Sequence, residues 1–262
     1  MAEPSHRKSL NQEQLKVLRS LYTFRFGTAE LFAKSQGNIT QRYMNERLRI
    51  LWEQEYIGRK YDGVARLYGK PAAYYLLEKG VDILKQSPEE YNPRVLARLK
   101  AIKIKSGPMW HYINVFRTFI RCRELYGDSI KFLTKSNLAK LTYFPKKLPD
   151  AYIIFGNKTS GEMHRAMIEY FDWSQPLSAM KRRISDLITH ADSGIWTSRV
   201  PYPEIWILCE TPELEQKIRR WTAIALEKSW EDRAVFYTTT KKVFFDKDLA
   251  ANPWEFVSQA AK

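Results

Sequence analysis

The chain has 262 residues, 43 Lys and Arg against 29 Asp and Glu, and a formal net charge of +14. Its hydrophobic share of 44%, with 14% aromatic residues, supplies packed cores and excludes a disordered chain; the length suits two small domains or one large one. The basic excess is local, net +4 over residues 1–90, +10 over 91–150 and 0 over 151–262, which points to a polyanionic partner held by counterion release from phosphates.

Leu15, Leu18, Leu21 and Tyr22 recur at helical spacing behind Ser9, a candidate N-cap. A second helix is expected from Thr28 through Leu31, Phe32 and Lys34, closed by the turn signal Gly37-Asn38. A third follows Thr40 with Met44, Leu48 and Leu51 on one face. Arg42, Asn45 and Arg49 share its opposite face, and those residue types read base edges and phosphates in a major groove. An ordinary solvated helix face gives the same pattern. Ile57 to Gly63, the basic glycine-containing stretch Arg66 to Pro71, and Ala73 to Leu77 then read as strand, turn and strand. Arg59, Lys60, Arg66 and Lys70 make this hairpin basic. Three helices and a two-stranded basic wing describe a winged helix, closed by a short helix at 77–84. Winged helices also dock proteins, so the fold alone does not decide the partner.

Ser87-Pro88 to Asn92-Pro93 starts a linker, and a basic amphipathic stretch runs from Arg94 to Lys105 until Ser106-Gly107-Pro108 breaks it. The next helix, about 110–125, has Ile113, Phe116, Phe119 and Ile120 as its buried stripe. His111 and Arg117 on this basic helix are candidate phosphate contacts; Glu124 reads as an ion-pair partner of Arg121 or Arg123. Apolar runs at Ala151–Phe155 and Met163–Phe171 flank a hairpin turn at 156–161. A helix starts at Ser174-Gln175-Pro176 with a stripe of Leu177, Met180, Ile184, Leu187 and Ile188. Ile205–Cys209 reads as a strand covered on both faces. Thr211-Pro212 caps a helix carrying Leu214, Ile218, Trp221 and Ala225, and Ala234–Tyr237 is the last expected strand. The expected class is α/β, α+β overall, with a mixed central sheet behind the winged helix. The expected boundaries are 1–86 for the winged helix, 87–108 for the basic linker, 109–245 for the α/β domain and 246–262 for a tail.

Asp150 heads one apolar strand and Glu169 lies inside the next. Two carboxylates on neighbouring strands can hold a divalent cation, Mg²⁺ or Mn²⁺, against a phosphate. A Pro-Asp pair before a strand is often just a turn, whereas Glu169 in an apolar strand needs a cation or a charged partner. Lys181 sits four after Leu177 and three before Ile184, on the expected core stripe, with Arg182 and Arg183 pointing elsewhere; it could stabilise charge beside the acid pair. A lysine whose stem is buried and whose ammonium escapes to water is the plainer reading. Asp172 is either a further ligand or the start of a turn. His6, His111, His164 and His190 are scattered without metal-ligand spacing. Cys122 and Cys209 read as reduced core residues, the first eight residues lack a signal-peptide apolar region, and there is no long apolar run, so a cytoplasmic protein without membrane insertion is expected.

Pro149-Asp150 followed by Glu169 in a strand hairpin resembles the PD-(D/E)xK nuclease superfamily. Over roughly residues 10–245 the chain resembles the replication-relaxation proteins of plasmids and integrating conjugative elements. The residues that carry this are Tyr74-Tyr75-Leu76, His111-Tyr112-Ile113-Asn114, Pro149-Asp150-Ala151, Glu169 and Ile205–Ala225. The resemblance implies a restriction-endonuclease-like domain and a mobilisation-relaxase-like, metal-dependent endonuclease that nicks double-stranded DNA at a transfer or replication origin. It also implies other relaxosome or conjugation proteins as partners, with a second copy of the chain as a further candidate. The superfamily lysine would lie two after the second acid, where this chain has Phe171; some members carry it on the following helix, where Lys181 stands. The alternative is a non-catalytic origin-binding or regulatory protein with a degenerate nuclease fold.

Overall fold

The computed structural model describes residues 10–37, 39–61, 69, 71–89, 91–100, 106–156, 162–196, 200–229, 233–246, 248 and 252–258. The chain divides into two compact units, residues 1–116 and 117–262.

In the first unit, helix α1 (Gln12–Phe24) buries Val17, Leu18, Leu21, Tyr22 and Phe24. Its N-cap is Asn11, in a reciprocal capping box with Gln14, which satisfies two orphan donors at once; Ser9 lies outside the described residues. Thr28 caps α2 (Ala29–Ser35) and Thr40 caps α3 (Gln41–Glu53), which buries Met44, Leu48 and Leu51. Strands β1 (Ile57–Lys60) and β2 (Ala73–Leu76) pair antiparallel, Ile57 opposite Leu76. Three helices and an antiparallel pair are the arrangement expected of a winged helix. In the turn between the strands Arg66 and Lys70 lie outside the described residues. Helix α4 (Glu78–Lys85) packs so closely on the chain before β1 that a Cβ at Gly80 would sit 2.3 Å from the Tyr56 carbonyl oxygen. Helix α5 (Pro93–Lys100) follows.

Helix α6 (Ser106–Tyr126) corrects one expectation. It begins at Ser106 instead of about residue 110, with Ser106-Gly107-Pro108 in its first turn, because a proline there forfeits no intrahelical hydrogen bond. Within the first unit Phe116 stacks on Phe24, with centroids 4.1 Å apart, and meets Phe32 edge-on.

The second unit is built on a six-stranded mixed sheet in the order β3-β4-β5-β6-β7-β8. These strands are Lys131–Thr134, Ala151–Gly156, Met163–Phe171, Glu204–Cys209, Phe236–Thr240 and Glu255–Phe256. β3, β4 and β5 form an antiparallel meander, β5, β6 and β7 run parallel, and β8 closes the edge antiparallel. The mixed α/β class is therefore as expected, with β3 and β8 additional to the strands read from the sequence. Between the strands lie α7 (Lys135–Leu138), α8 (Leu177–Asp192), α9 (Pro212–Leu226) and α10 (Lys241–Phe244).

Side-chain alternation assigns the two faces. Tyr152, Met167, Phe171, Ile205, Ile207 and Cys209 share one core with Met180, Ile184, Leu187 and Ile188 of α8 and with Leu214 and Ile218 of α9. On the other face Tyr126 of α6 stacks on Phe155 at 4.1 Å and lies 5.9 Å from Trp206. Both cysteines are buried and free.

Candidate functional site

The meander register decides where the two acids stand. Ala151 pairs with Ile168, so one step on, Asp150 lies across from Glu169. Directly opposite residues of an antiparallel pair project from the same face, here the face that carries Tyr152, Met167 and Phe171 towards α8. Both acids are buried, Asp150 at 6% exposure and Glu169 at 4%.

Each acid has a cation. Asp150 accepts a hydrogen bond from the Tyr170 backbone N–H at 2.8 Å and an ion pair from Lys135, the residue immediately after β3. The Oε1 of Glu169 accepts from Arg183 Nε at 3.0 Å and also from Arg183 Nη2. Its Oε2 accepts no hydrogen bond from a described residue. Arg183 is 1% exposed. Burial pulls its guanidinium towards neutrality, but attraction to Glu169, the hydrogen bonds to it and the nearby Asp150 outweigh that and raise its pKa. It is a permanent cation.

This overturns the expected orientation of α8. The buried stripe is Met180, Arg183, Ile184, Leu187, Ile188 and Ala191, at offsets of three, four, seven, eight and eleven. Leu177 is only half-buried and Lys181 is exposed. At about 100° per residue, Lys181 falls off the stripe that Arg183 joins. The basic residue that α8 sends to Glu169 is Arg183, and the lysine at the acid pair is Lys135, from a strand the sequence reading missed.

β3 is parallel to β5 through two antiparallel pairings, so the ends of β3, β5, β6 and β7 share one edge of the sheet. That carboxyl edge is where open α/β sheets take their ligands. It collects Lys135, Asp150, Glu169, Glu210 and Lys241. On the side away from α8, the Tyr170 hydroxyl donates to Glu210 Oε2, and Lys241 Nζ lies 2.6 Å from Glu210 Oε1. Burial and the bond to Glu210 push the Tyr170 phenol well above its ordinary range; it stays protonated and is no ionised nucleophile. Asp172 accepts from the Ser174 backbone N–H at 2.9 Å and from its hydroxyl, as a turn into α8 does. Arg121 pairs with Glu124 at 3.1 Å.

Among the described residues no group of three or more His, Cys, Asp or Glu side chains is placed to hold a metal ion. The acid pair nevertheless fits a Mg²⁺-type ion in kind and number, since that ion is commonly held by one or two carboxylates together with substrate phosphate and water.

In the first unit Arg42, Asn45 and Arg49 are all exposed on α3. Arg49 is balanced by Glu46 and Glu53, each at 2.6 Å; these bonds raise its pKa and that to Arg49 lowers that of Glu46. The exposed Arg59 guanidinium lies 4.2 Å from the Trp52 ring centroid and 5.3 Å from that of Tyr61. Lys60, His111 and Arg117 are half-buried, and His111 meets Tyr112 edge-on at 5.8 Å. Among the described residues no helix is long and apolar enough to cross a membrane.

No protein-family model matches the sequence, and no curated protein matches it. Among solved structures the chain is similar to the restriction endonuclease FokI, with a TM-score of 0.33 and 11% identity over 90% of this chain. The structure of FokI bound to DNA matches with the same TM-score and identity. The chain spans 44% of FokI's length, and at this level of likeness nothing about fold or activity follows from it.

Proposed function

We propose that this chain is a DNA-binding endonuclease of the replication-relaxation type, which nicks one strand at a plasmid transfer or replication origin. The observation that carries the reading is the cross-strand pair of buried carboxylates, Asp150 and Glu169, with Lys135 on Asp150 at the carboxyl edge of the sheet. Asp150 and Glu169 would hold Mg²⁺ or Mn²⁺. When bound, such an ion neutralises phosphate charge and lowers the pKa of a water at the scissile bond. Lys135 takes the role that Phe171 cannot, placing an ammonium where negative charge grows on the phosphorus oxygens. Arg183 positions Glu169 by fixing Oε1 and leaving Oε2. Arg42, Asn45 and Arg49, with Arg59 and Lys60 of the wing, would grip the duplex, with other transfer proteins as further partners.

A second reading has its own support. Each acid is already neutralised by a base and Phe171 occupies the superfamily lysine position, as in a non-catalytic origin-binding protein. A nicking assay on supercoiled DNA carrying transfer origins separates the two. Cleavage predicts open circles with Mg²⁺ and none with EDTA, and a loss of about 10²-fold in Lys135→Met, the scale of removing one charge-stabilising donor. Intact supercoils at every origin would favour the second reading.

A further inference from the structure

A cavity of about 980 Å³ opens between the 138–148 segment and α8, and Arg183 lines it. The volume lies at the upper end of the roughly 300–1,000 Å³ typical of small-ligand sites. Arg183 is 1% exposed, and its Nε and Nη2 are both committed to Glu169. Its Nη1 is buried and has no hydrogen-bond partner among the described residues. A buried guanidinium nitrogen is rarely left unsatisfied, and Arg183 is one of the residues that line this cavity. The rim supplies charge of the same sign: Lys146 and Lys147 line the cavity and are exposed, against a single rim acid, Asp186. The remaining wall includes apolar groups such as Leu141 and Phe144.

We propose that this cavity binds the phosphate monoester of a nucleotide. Arg183 Nη1 would donate to one terminal oxygen, Lys146 and Lys147 would meet the others, and the sugar and base would lie on the apolar wall. Three donors of this kind match a phosphate group better than a carboxylate, which offers two oxygens and one charge. The ligand chemistry is the same whether the monoester is a free nucleotide or the 5′ end of a DNA strand. The proposal does not rest on cleavage, because Asp150 and Glu169 are not among the cavity-lining residues.

Calorimetry on the full chain in EDTA tests it, with thymidine 5′-monophosphate, thymidine, and 5′-phosphorylated and 5′-hydroxyl forms of one oligonucleotide as titrants. The monophosphate is expected to bind at least tenfold tighter than thymidine. Arg183→Lys should lose that preference, and so should the surface double variant Lys146→Glu/Lys147→Glu, which leaves the fold intact. Asp150→Asn should keep it whether or not the chain nicks DNA. A preference for the phosphorylated oligonucleotide end assigns the cavity to DNA ends; a preference seen only with the mononucleotide assigns it to free nucleotide. Equal binding of monophosphate and thymidine, or a preference unchanged in Lys146→Glu/Lys147→Glu, would overturn the proposal.

Discussion

Replacing Arg183 with Met removes the cation that neutralises Glu169 while keeping most of the buried volume. Arg183 and Glu169 have side-chain exposures of 1% and 5%, so water cannot take over the guanidinium's role. A carboxyl left without a counter-ion in such a place folds protonated instead of charged. From an ordinary Glu pKa of about 4.3, protonation at pH 7 costs about 3.7 kcal/mol, at 1.36 kcal/mol per pH unit, and at pH 5 about 1 kcal/mol. The variant's raised folded pKa gives stability that is present at low pH and lost as pH rises. With about 2–4 °C per kcal/mol for a protein of this size, Arg183→Met should melt about 7–15 °C below wild type at pH 7 and about 2–4 °C below it at pH 5. Glu169→Met should cost less than Arg183→Met, because Arg183 keeps the attraction of Asp150. The double variant should recover much of the loss, as apolar replacements of buried ion pairs do. Thermal melts by far-UV circular dichroism at the two pH values read this directly. A deficit independent of pH, or a double variant no better than Arg183→Met, would show that Arg183 does not act by neutralising Glu169.

Arg49 is tied to Glu46 and Glu53, so Glu46→Gln/Glu53→Gln should release its charge and tighten duplex binding, with a steeper salt dependence of affinity in fluorescence anisotropy; Arg42→Ala should weaken binding more than Arg49→Ala does. Gly80→Ala should destabilise the first unit by about 1–3 kcal/mol in urea melts, since the obstructing atom is a backbone carbonyl that no rotamer can move. Burial lowers the pKa of His190, despite a contact with the Tyr143 backbone, so the folded state takes up its proton later than the unfolded chain does. Its contribution to stability is full above an ordinary value of about 6.5 and falls as pH drops from there to the folded value. His190→Gln should flatten the melting temperature over that window.

The helices of the first unit were legible because their apolar spacing and their caps, Thr28 and Thr40, agree with one another. β3 was not: it is four residues long, starts with the exposed Lys131, and is a strand only because β4 lies beside it. β8 is two residues and equally dependent on its neighbour. Missing β3 meant missing Lys135, fifteen residues from Asp150 in sequence and joined to it only by the meander. Glu169 was legible since a carboxylate in an apolar strand demands a partner. The identity of that partner was not, because Lys181, Arg182 and Arg183 are consecutive and the half-buried Leu177 sets a misleading phase. Two residues along a helix turn the side chain by about 200°, enough to exchange the surface for the core.

The most direct test of the acid pair as a cleavage centre is the single-turnover rate of Mg²⁺-dependent nicking by wild type and by Asp150→Asn, with circular dichroism showing both folded. Cleavage at the acid pair gives open circles from wild type and a rate at least about 10²-fold lower from the variant. Equal rates in the two proteins would contradict it.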